Sequence, residues 1–354
     1  MIKVGIRADG SKNIGMGHVM RCLSLAKGFR NAGIDVVFLS KYEQGILKIR
    51  QEKFGVIELA HNGEKSYEGF CYGDANTLKE EAEEIIVAIK NENIDVLFID
   101  SYNVTEEFFL KLKPFVKKLC YIDDVNKFTY PVDVLINGNI TGELFNYKSY
   151  YENEIMLLGL KYNLIRDEFK GLPSRKINRM IKEIMITTGG SDPFDLSYRL
   201  AKTILTDSAF RTVRINIVAG SGFENFDRLR ELSRKNLNIV IYENVSKMSE
   251  IMLRSDIAIS AGGSTLYELC ACGTPTLAII VAENQEAIVD MLSNRGYIQS
   301  LGWYNRFSDE EFLNKLKLMC EDFEKRECYS KKMQKLVDGE GVNRIVNTII
   351  KISP

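Results

Sequence analysis

The stretch Ile2–Phe29, IKVGIRADGSKNIGMGHVMRCLSLAKGF, joins an apolar strand, a glycine loop and the start of a helix. The segment IKVGIRA is typical of a strand in a parallel sheet that is covered on both faces. Gly15 and Gly17 allow a tight turn, and the apolar run after them predicts a helix from about His18 to Ala32. This order predicts an α/β fold, with the loop at the carboxyl end of the strand.

The same alternation continues through the first half of the chain. A helical pattern covers Ala75–Glu92, and a charged segment with one proline, Tyr162–Lys182, is typical of a linker. Short apolar runs predict further strands at Asp35–Ser40, Asp95–Asp100, Lys118–Asp123 and Asp133–Asn139.

The second half repeats the pattern. Helices are predicted at Phe194–Thr206 and Ser264–Cys272, and the tail from Ser308 onward is expected to be wholly helical. We therefore expect two Rossmann-like doubly wound domains, 1–165 with the catalytic loop and 166–354 with the helical tail, and a ligand in the cleft between them. The strands predicted here are Glu183–Gly190, Val213–Gly220, Asn238–Asn244, Asp256–Ser260 and Thr274–Ile280.

Composition excludes several classes of function. The chain has 354 residues and a net charge of −1, from 47 Lys and Arg against 48 Asp and Glu, so it has no global basic field for nucleic acid or an anionic membrane. No apolar run is long enough for a transmembrane helix, and the start does not resemble a signal peptide. We expect a cytoplasmic protein. The seven cysteines form no CxxC pair, which argues against a zinc ribbon or a disulfide framework.

His18 is one of only two histidines, and it lies where a glycine loop meets a helix. A neutral imidazole there can act as a general base near neutral pH. A helix cap or a packing histidine is an equally simple explanation of the position. The loop matches neither the dinucleotide fingerprint nor the P-loop. His61 lies in a polar stretch and is expected at the surface.

Two glycine loops of the second half precede predicted helices. In TTGGSDPFDLS, Ser191 or Asp192 is expected to cap the helix, with Pro193 as its first residue. The pair Gly189–Gly190 is either part of that ordinary turn or a hinge that faces the cleft.

The second of these loops, SDIAISAGGSTLYELC, predicts a phosphate cradle made of the backbone around Gly263 and the hydroxyls of Ser264 and Thr265. Glu268, one turn further on, can accept hydrogen bonds from ribose hydroxyls. The alternative is a plain helix cap with a solvated glutamate. After the next strand, Asn284 and Gln285 are expected to face the cleft.

Seven segments together resemble a known family, the UDP-2,4-diacetamido-2,4,6-trideoxy-β-L-altropyranose hydrolases of pseudaminic acid biosynthesis and the related spore-coat polysaccharide proteins. The resemblance spans nearly the whole chain in order. Its segments are RADGSKNIGMGHVMRCLSLA, FIDSY, YNLIRDEF, TTGGSD, SAGGSTLYEL, VAENQ and DGEGVNRIV.

The resemblance implies a GT-B arrangement of the two domains, with UDP bound mainly by the C-terminal half. It implies metal- and cofactor-independent hydrolysis by water attack at the anomeric carbon, with inversion. His18 matches the family's base, and Tyr102 and Asn284 match residues that face the reacting sugar. With the loop analysis, the expected substrate-binding set is Arg7, Asp9, Gly15, Gly17, Gly189, Gly190, Ser191, Asp192, Gly263, Ser264, Thr265, Glu268 and Gln285.

Three other functions remain open on the sequence. A GT-B glycosyltransferase would use the same donor half, and the glycine pair of SAGGST is closer to the transferases. A nucleotide-sugar-binding protein would bind the donor without turnover. A hydrolysing UDP-sugar 2-epimerase is expected to carry more acidic residues and histidines than this chain. In every case a UDP-sugar is the expected ligand, with no nucleic acid, membrane or obligate protein partner.

Overall fold

The computed structural model describes residues 2–11, 14–61, 75–220, 222–223, 226–243 and 245–353. Contacts divide the chain into two units, Met1–Leu164 with Glu340–Pro354, and Ile165–Gly339. The strands are β1 Lys3–Ala8, β2 Asp35–Ser40, β3 Gly55–Glu58, β4 Val96–Asp100, β5 Lys118–Ile122, β6 Val134–Asn137, β7 Ile155–Leu158, β8 Glu183–Thr187, β9 Arg214–Ala219, β10 Ile239–Glu243, β11 Ile257–Ala261, β12 Thr276–Ile280 and β13 Gln299–Trp303.

Most of the helices alternate with these strands, but β5 to β8 follow one another with no α-helix between them in the described residues 75–220, and the last three helices end the chain in succession. None of the helices in the described part of the chain combines the length and the apolar character needed to cross a bilayer. They are α1 Gly17–Asn31, α2 Glu43–Gln51, α3 Ala75–Glu92, α4 Glu106–Leu112, α5 Leu196–Ile204, α6 Phe226–Lys235, α7 Met248–Arg254, α8 Thr265–Cys272, α9 Glu283–Asn294, α10 Asp309–Glu321, α11 Phe323–Leu336 and α12 Gly341–Ile352.

The first unit is built on a parallel sheet with the strand order β3-β2-β1-β4-β5-β6-β7. Its central strand β4 is buried along its whole length, as expected for a sheet that carries helices on both faces. The strand order reverses between β1 and β4, so the loops after these two strands diverge and leave room for a ligand at their carboxyl ends.

The second unit has the order β10-β9-β8-β11-β12-β13, again all parallel. Its reversal lies between β8 and β11, beside the two glycine loops. The predicted doubly wound sheets are therefore confirmed in both halves of the chain.

The last helix differs from the expectation. The sequence analysis placed the whole helical tail in the second domain, whereas α12 packs in the first unit. Its apolar stripe, which includes Ile345 and Ile349, enters the same core cluster as α1. Gly28 of α1 permits the close approach, because a Cβ there would clash with a methyl carbon of Val342. The amphipathic pattern predicted the helix but not the sheet that it covers.

An ion-pair cluster joins α1 to the end of α2. Lys27 Nζ lies 2.6 Å and Lys48 Nζ 2.9 Å from the carboxylate oxygens of Glu52. Partial burial disfavours the charged carboxylate, but the hydrogen bonds from both lysines outweigh it and lower the pKa of Glu52 to about 2.

Candidate active site

The glycine loop after β1 leads into α1 as predicted, and His18 is the second residue of that helix. Gly15 adopts a φ of +76°, a backbone conformation that favours glycine. The N-cap residue Met16 makes no side-chain cap bond, and the first turn of α1 contains no acidic residue. The start of α1 therefore combines an imidazole with backbone N–H groups that have no partner within the helix.

His18 is held by a carboxylate that the sequence analysis did not single out. Its Nδ1 lies 2.6 Å from Oδ1 of Asp100, the last residue of β4. The pairing arises because β1 and β4 are neighbours and Ala8 is in register with Asp100. The side chain of Asp100 is completely buried, and that of His18 is 12% exposed.

The charge of Asp100 bears on the tautomer of the histidine. Burial opposes ionisation, but Arg21 and His18 outweigh it and hold the pKa of Asp100 well below its usual range. An ionised carboxylate can only accept hydrogen bonds, so we assign the neutral imidazole its proton on Nδ1. Nε2 then keeps its lone pair, which is the arrangement of a general base oriented by a carboxylate.

Tyr102, which the resemblance implies faces the reacting sugar, lies against this pair. Its ring meets the imidazole of His18 edge-on, with 4.8 Å between centroids and 79° between planes. Burial, together with a hydrogen bond to Asp124, raises the pKa of the Tyr102 hydroxyl. Tyr102 is therefore a neutral side chain that can donate or accept a hydrogen bond next to His18.

Sequence reasoning missed Asp100, Arg21 and Asp124. The first two lie inside segments quoted for the resemblance, FIDSY and GHVMRCL, and their signal was available there. Arg21 follows His18 by three residues, which places both side chains on one face of a helix. An acidic residue at the end of an apolar strand next to β1 is a natural partner for both.

Arg7 and Asp9 are committed to contacts inside the protein. Arg7 donates to Asp9 Oδ2 and Glu81 Oε1, each at 2.6 Å, and Lys41 Nζ lies 2.5 Å from Glu81. All four side chains are buried, so their charges neutralise one another between the sheet and α3. This network occupies the charged groups of Arg7 and Asp9, and it gives no support to their predicted substrate contacts.

The loop after β8 is an ordinary but tightly packed turn. The N-cap residue of α5 is Asp195, which makes no side-chain cap bond, and not Ser191 or Asp192 as predicted. Asp192 still contacts the helix start, since its carboxylate accepts the backbone N–H groups of Leu196 and Ser197 at 2.9 and 2.8 Å. Pro193, expected as the first helical residue, instead lies before the helix, because α5 begins at Leu196 with Asp195 as its N-cap residue.

The glycines of this loop allow it to contact its neighbour. Gly189 has a φ of +102°. The carbonyl of Gly190 accepts the N–H of Gly222 at 3.0 Å, and a Cβ on Gly220 would clash with that oxygen. The loops after β8 and β9 are thus in backbone contact, with Ser191 half-buried between Gly190 and Asp192.

The side chain of Gln285 is hydrogen-bonded to the loop after β11. The side-chain Oε1 of Gln285 accepts the N–H of Gly262 at 3.1 Å and that of Val281 at 3.0 Å. Helix α8 follows at once, with Ser264 as a cap residue that makes no side-chain cap bond and with Thr265 as its first residue. A Cβ placed on Gly263 would meet no described atom within 4 Å, so the loop is open on that side.

Asn284 lies in the first turn of α9 and is exposed. The acidic residues Glu283 and Glu286 share that turn, so this helix start does not favour an anion. Gln285, next to Asn284, connects α9 to the open loop.

Glu268 is not the solvated residue of the alternative interpretation. Arg166 donates to both of its carboxylate oxygens, at 2.9 and 3.0 Å. Burial raises the pKa of Glu268, and Arg166 opposes that shift. A bidentate pair of this kind leaves the second lone pair on each oxygen for a ligand hydroxyl.

In the first unit, then, the predicted residues Gly15, Gly17, His18 and Tyr102 follow the carboxyl ends of the neighbouring strands β1 and β4. In the second unit, Gly263, Ser264, Thr265 and Gln285 follow the carboxyl ends of the neighbouring strands β11 and β12. Within the described residues, no three His, Cys, Asp or Glu side chains group as metal ligands do.

Comparison with known proteins defines the fold. The model of the glycosyltransferase family 28 C-terminal domain matches residues 184–349. The crystal structure of MurG from Acinetobacter baumannii aligns with a TM-score of 0.69 at 13% identity, covering 99% of each chain. The protein therefore has the GT-B glycosyltransferase fold.

Comparison of sequences finds relatives whose names are more specific than the fold. The chain is 28% identical over 301 residues to a UDP-2,4-diacetamido-2,4,6-trideoxy-β-L-altropyranose hydrolase of Campylobacter jejuni, which covers 84% of this chain and 98% of the relative. It is 31% identical over 302 residues to an uncharacterised protein of Methanocaldococcus jannaschii, covering 82% of this chain. That match spans 58% of the archaeal protein's length. The resemblance found in the sequence motifs is thus confirmed.

Proposed function

We propose that this chain hydrolyses UDP-2,4-diacetamido-2,4,6-trideoxy-β-L-altropyranose to UDP and free 2,4-diacetamido-2,4,6-trideoxy-L-altrose, a step of pseudaminic acid biosynthesis. The observation that carries the proposal is the 2.6 Å contact between His18 Nδ1 and Asp100, which leaves Nε2 as a proton acceptor. The name of the Campylobacter relative supports the choice of substrate.

In the proposed reaction, His18 Nε2 takes one proton from a water molecule while the water oxygen attacks the anomeric carbon. The bond between that carbon and the diphosphate oxygen breaks, and its electron pair leaves with UDP. Attack from the face opposite to UDP inverts the anomeric configuration. The imidazolium that forms is stabilised by the ionised Asp100, and Tyr102 lines the sugar side of the base.

The donor end is assigned to the second unit. The open loop at Gly263 and the uncapped start of α8 offer backbone N–H groups, with the hydroxyls of Ser264 and Thr265, to the diphosphate. Charge that develops on the leaving UDP would be stabilised there. Glu268 is assigned to the ribose hydroxyls, and Asn284 to the sugar. The proposal uses no metal and no cofactor.

A glycosyltransferase is the second candidate, favoured by the family 28 domain and the MurG-like fold. It would use the same donor site, and His18 would deprotonate an acceptor hydroxyl instead of water. The two functions differ in one product, because a transferase makes no free sugar in the absence of an acceptor.

The test is turnover in H₂¹⁸O with purified protein, read on the UDP product by mass spectrometry. Unlabelled UDP with free sugar supports attack at carbon. Labelled UDP means attack at phosphorus and contradicts the role of His18. Bound but intact UDP-sugar contradicts hydrolysis and favours the transferase or a binding protein. UDP is the better reporter, because the anomeric oxygen of a free sugar exchanges with water.

The two histidines provide a matched pair of variants. We expect His18→Gln to retain UDP binding and lose about 10²–10⁴-fold in kcat, the usual contribution of a general base. His61→Gln alters an exposed residue and is expected to keep wild-type turnover. Equal rates for His18→Gln and the wild type would exclude His18 as the base.

A further inference from the structure

Arg21 contacts both carboxylates of the first site. Its Nε and Nη2 donate to Oδ2 and Oδ1 of Asp100, each at 2.6 Å, and its Nη1 donates to Oδ2 of Asp124 at 2.9 Å. The side chain is 19% exposed, and it reaches this position because α1 places it one turn after His18.

The fork fixes Asp100 in one orientation. Oδ1 accepts from His18 Nδ1 and Arg21 Nη2, and Oδ2 accepts from Arg21 Nε and from the thiol of Cys22 at 3.3 Å. Arg21 Nη2 also lies 3.2 Å from His18 Nδ1, a contact that is a hydrogen bond only when Nδ1 is unprotonated. The shorter contacts, each 2.6 Å, join Nδ1 and Nη2 to Asp100 Oδ1 and favour the arrangement in which both nitrogens donate to that oxygen. Rotation of the carboxylate would break the bonds to Arg21, and the acceptor therefore stays directed at Nδ1.

Arg21 is also connected to Tyr102, through Asp124. Asp124, held by Nη1, is hydrogen-bonded to the hydroxyl of Tyr102, whose ring packs edge-on against the imidazole of His18. The imidazole is thus restrained from two sides, by Asp100 along its plane and by Tyr102 against it. The guanidinium of Arg21 contacts Asp100 directly and contacts Tyr102 through Asp124.

We propose that Arg21 is a positioning residue that locks His18 in the tautomer with its proton on Nδ1 and its lone pair on Nε2, and that holds Tyr102 against it. The expected loss of turnover rests on the proposed function, whereas the expected tautomer of His18 does not. A lysine cannot replace the fork, since an ammonium group is a point donor and cannot hold two oxygens of Asp100 and one of Asp124 in fixed directions.

The first test is ¹⁵N NMR of the imidazole nitrogens in histidine-labelled protein without substrate. The chain has two histidines, so the spectrum contains two ring systems, and His18→Gln assigns them. In the wild type we expect His18 with Nδ1 protonated and Nε2 unprotonated. In Arg21→Lys we expect a mixture of tautomers at His18 and an unchanged His61. An Nε2–H tautomer in the wild type overturns the inference without any variant.

The second test is kinetic. Arg21→Lys is expected to lose about 10²-fold in kcat, the scale of a catalytic group misplaced by about 1 Å, with KM changed less than threefold. Guanidinium ion at millimolar concentration should restore part of the activity of Arg21→Ala. Arg30→Ala, near the end of the same helix, serves as the control and should show neither the loss nor the rescue.

The outcomes separate the two claims. A locked Nδ1–H tautomer that Arg21→Lys releases, in a protein without hydrolytic activity, supports the inference and contradicts the proposed function. A folded Arg21→Lys variant with the wild-type tautomer and kcat overturns the inference and leaves the proposed function standing.

Discussion

Replacing Asp100 by asparagine removes one charge and almost no volume from the first site. The carboxylate is fully buried and accepts from His18, Arg21 and Cys22. An asparagine presents an NH₂ group to some of these donors, so at least one pair of donors is left facing each other.

The stability cost follows from the partner left behind. Removing one side of a buried ion pair costs about 3–5 kcal/mol. Arg21 keeps Asp124 at 2.9 Å and is 19% exposed, so we expect the lower limit, about 3 kcal/mol. For a unit of about 180 residues this lowers Tm by roughly 6–12 °C.

The catalytic cost is larger. In a serine protease triad, the same aspartate-to-asparagine change leaves the geometry intact but stabilises the wrong histidine tautomer, and it lowers kcat about 10⁴-fold. We expect a loss of about 10³–10⁴ in kcat here, which corresponds to roughly 4–5 kcal/mol of transition-state stabilisation.

The pH dependence of stability has a defined sign. Because the folded state lowers the pKa of Asp100, its ionisation adds stability above the unfolded pKa of about 3.9 and loses it as the pH falls below that value. The part of the stability difference between wild type and Asp100→Asn that comes from this carboxylate should therefore narrow as the pH falls below about 4.

Release of UDP and thermal unfolding are measured on the same preparations. The control is Asp95→Asn, at the opposite end of the β4 segment, where Asp95 accepts the backbone N–H of Lys3 and pairs with Lys117. It is expected to lose stability but not kcat at a temperature where it is folded. A folded Asp100→Asn variant with wild-type kcat would refute the proposal that Asp100 orients His18 as a general base.

Two further predictions concern stability. Glu52→Gln should destabilise the protein above pH 4.5, and the difference from wild type should close as the pH falls from 4.5 to about 2, because the lysine contacts lower this carboxyl's pKa. Urea unfolding at several pH values measures it, with the exposed Glu58→Gln as a nearly silent control; a pH-independent difference contradicts the prediction. Gly262→Ala places a Cβ 2.5 Å from a Val289 methyl and should cost about 1–3 kcal/mol, whereas Gly263→Ala meets no described atom within 4 Å. Equal Tm values for these two variants would disprove the packing argument.

Local signals in the sequence predicted most of the architecture. Apolar runs of strand length and glycine loops before helices depend on neighbouring residues alone, and they located both sheets and the start of α1. The predicted bounds of α5, Phe194–Thr206, were less accurate, because the helix begins only at Leu196, where the backbone N–H groups of Leu196 and Ser197 donate to the carboxylate of Asp192.

The sequence by itself also singled out His18 as a candidate base, since a histidine beside a glycine turn is a local feature, although a helix cap or a packing histidine explained the position equally well. The tertiary structure alone decided what orients that base: Asp100 lies 82 residues from His18, and adjacent parallel strands bring the two together. It also decided that Arg7 is neutralised internally, that Glu268 faces Arg166, and that α12 returns to the first sheet. The role of a charged side chain depends on the charge that it faces, and sequence spacing does not specify that partner.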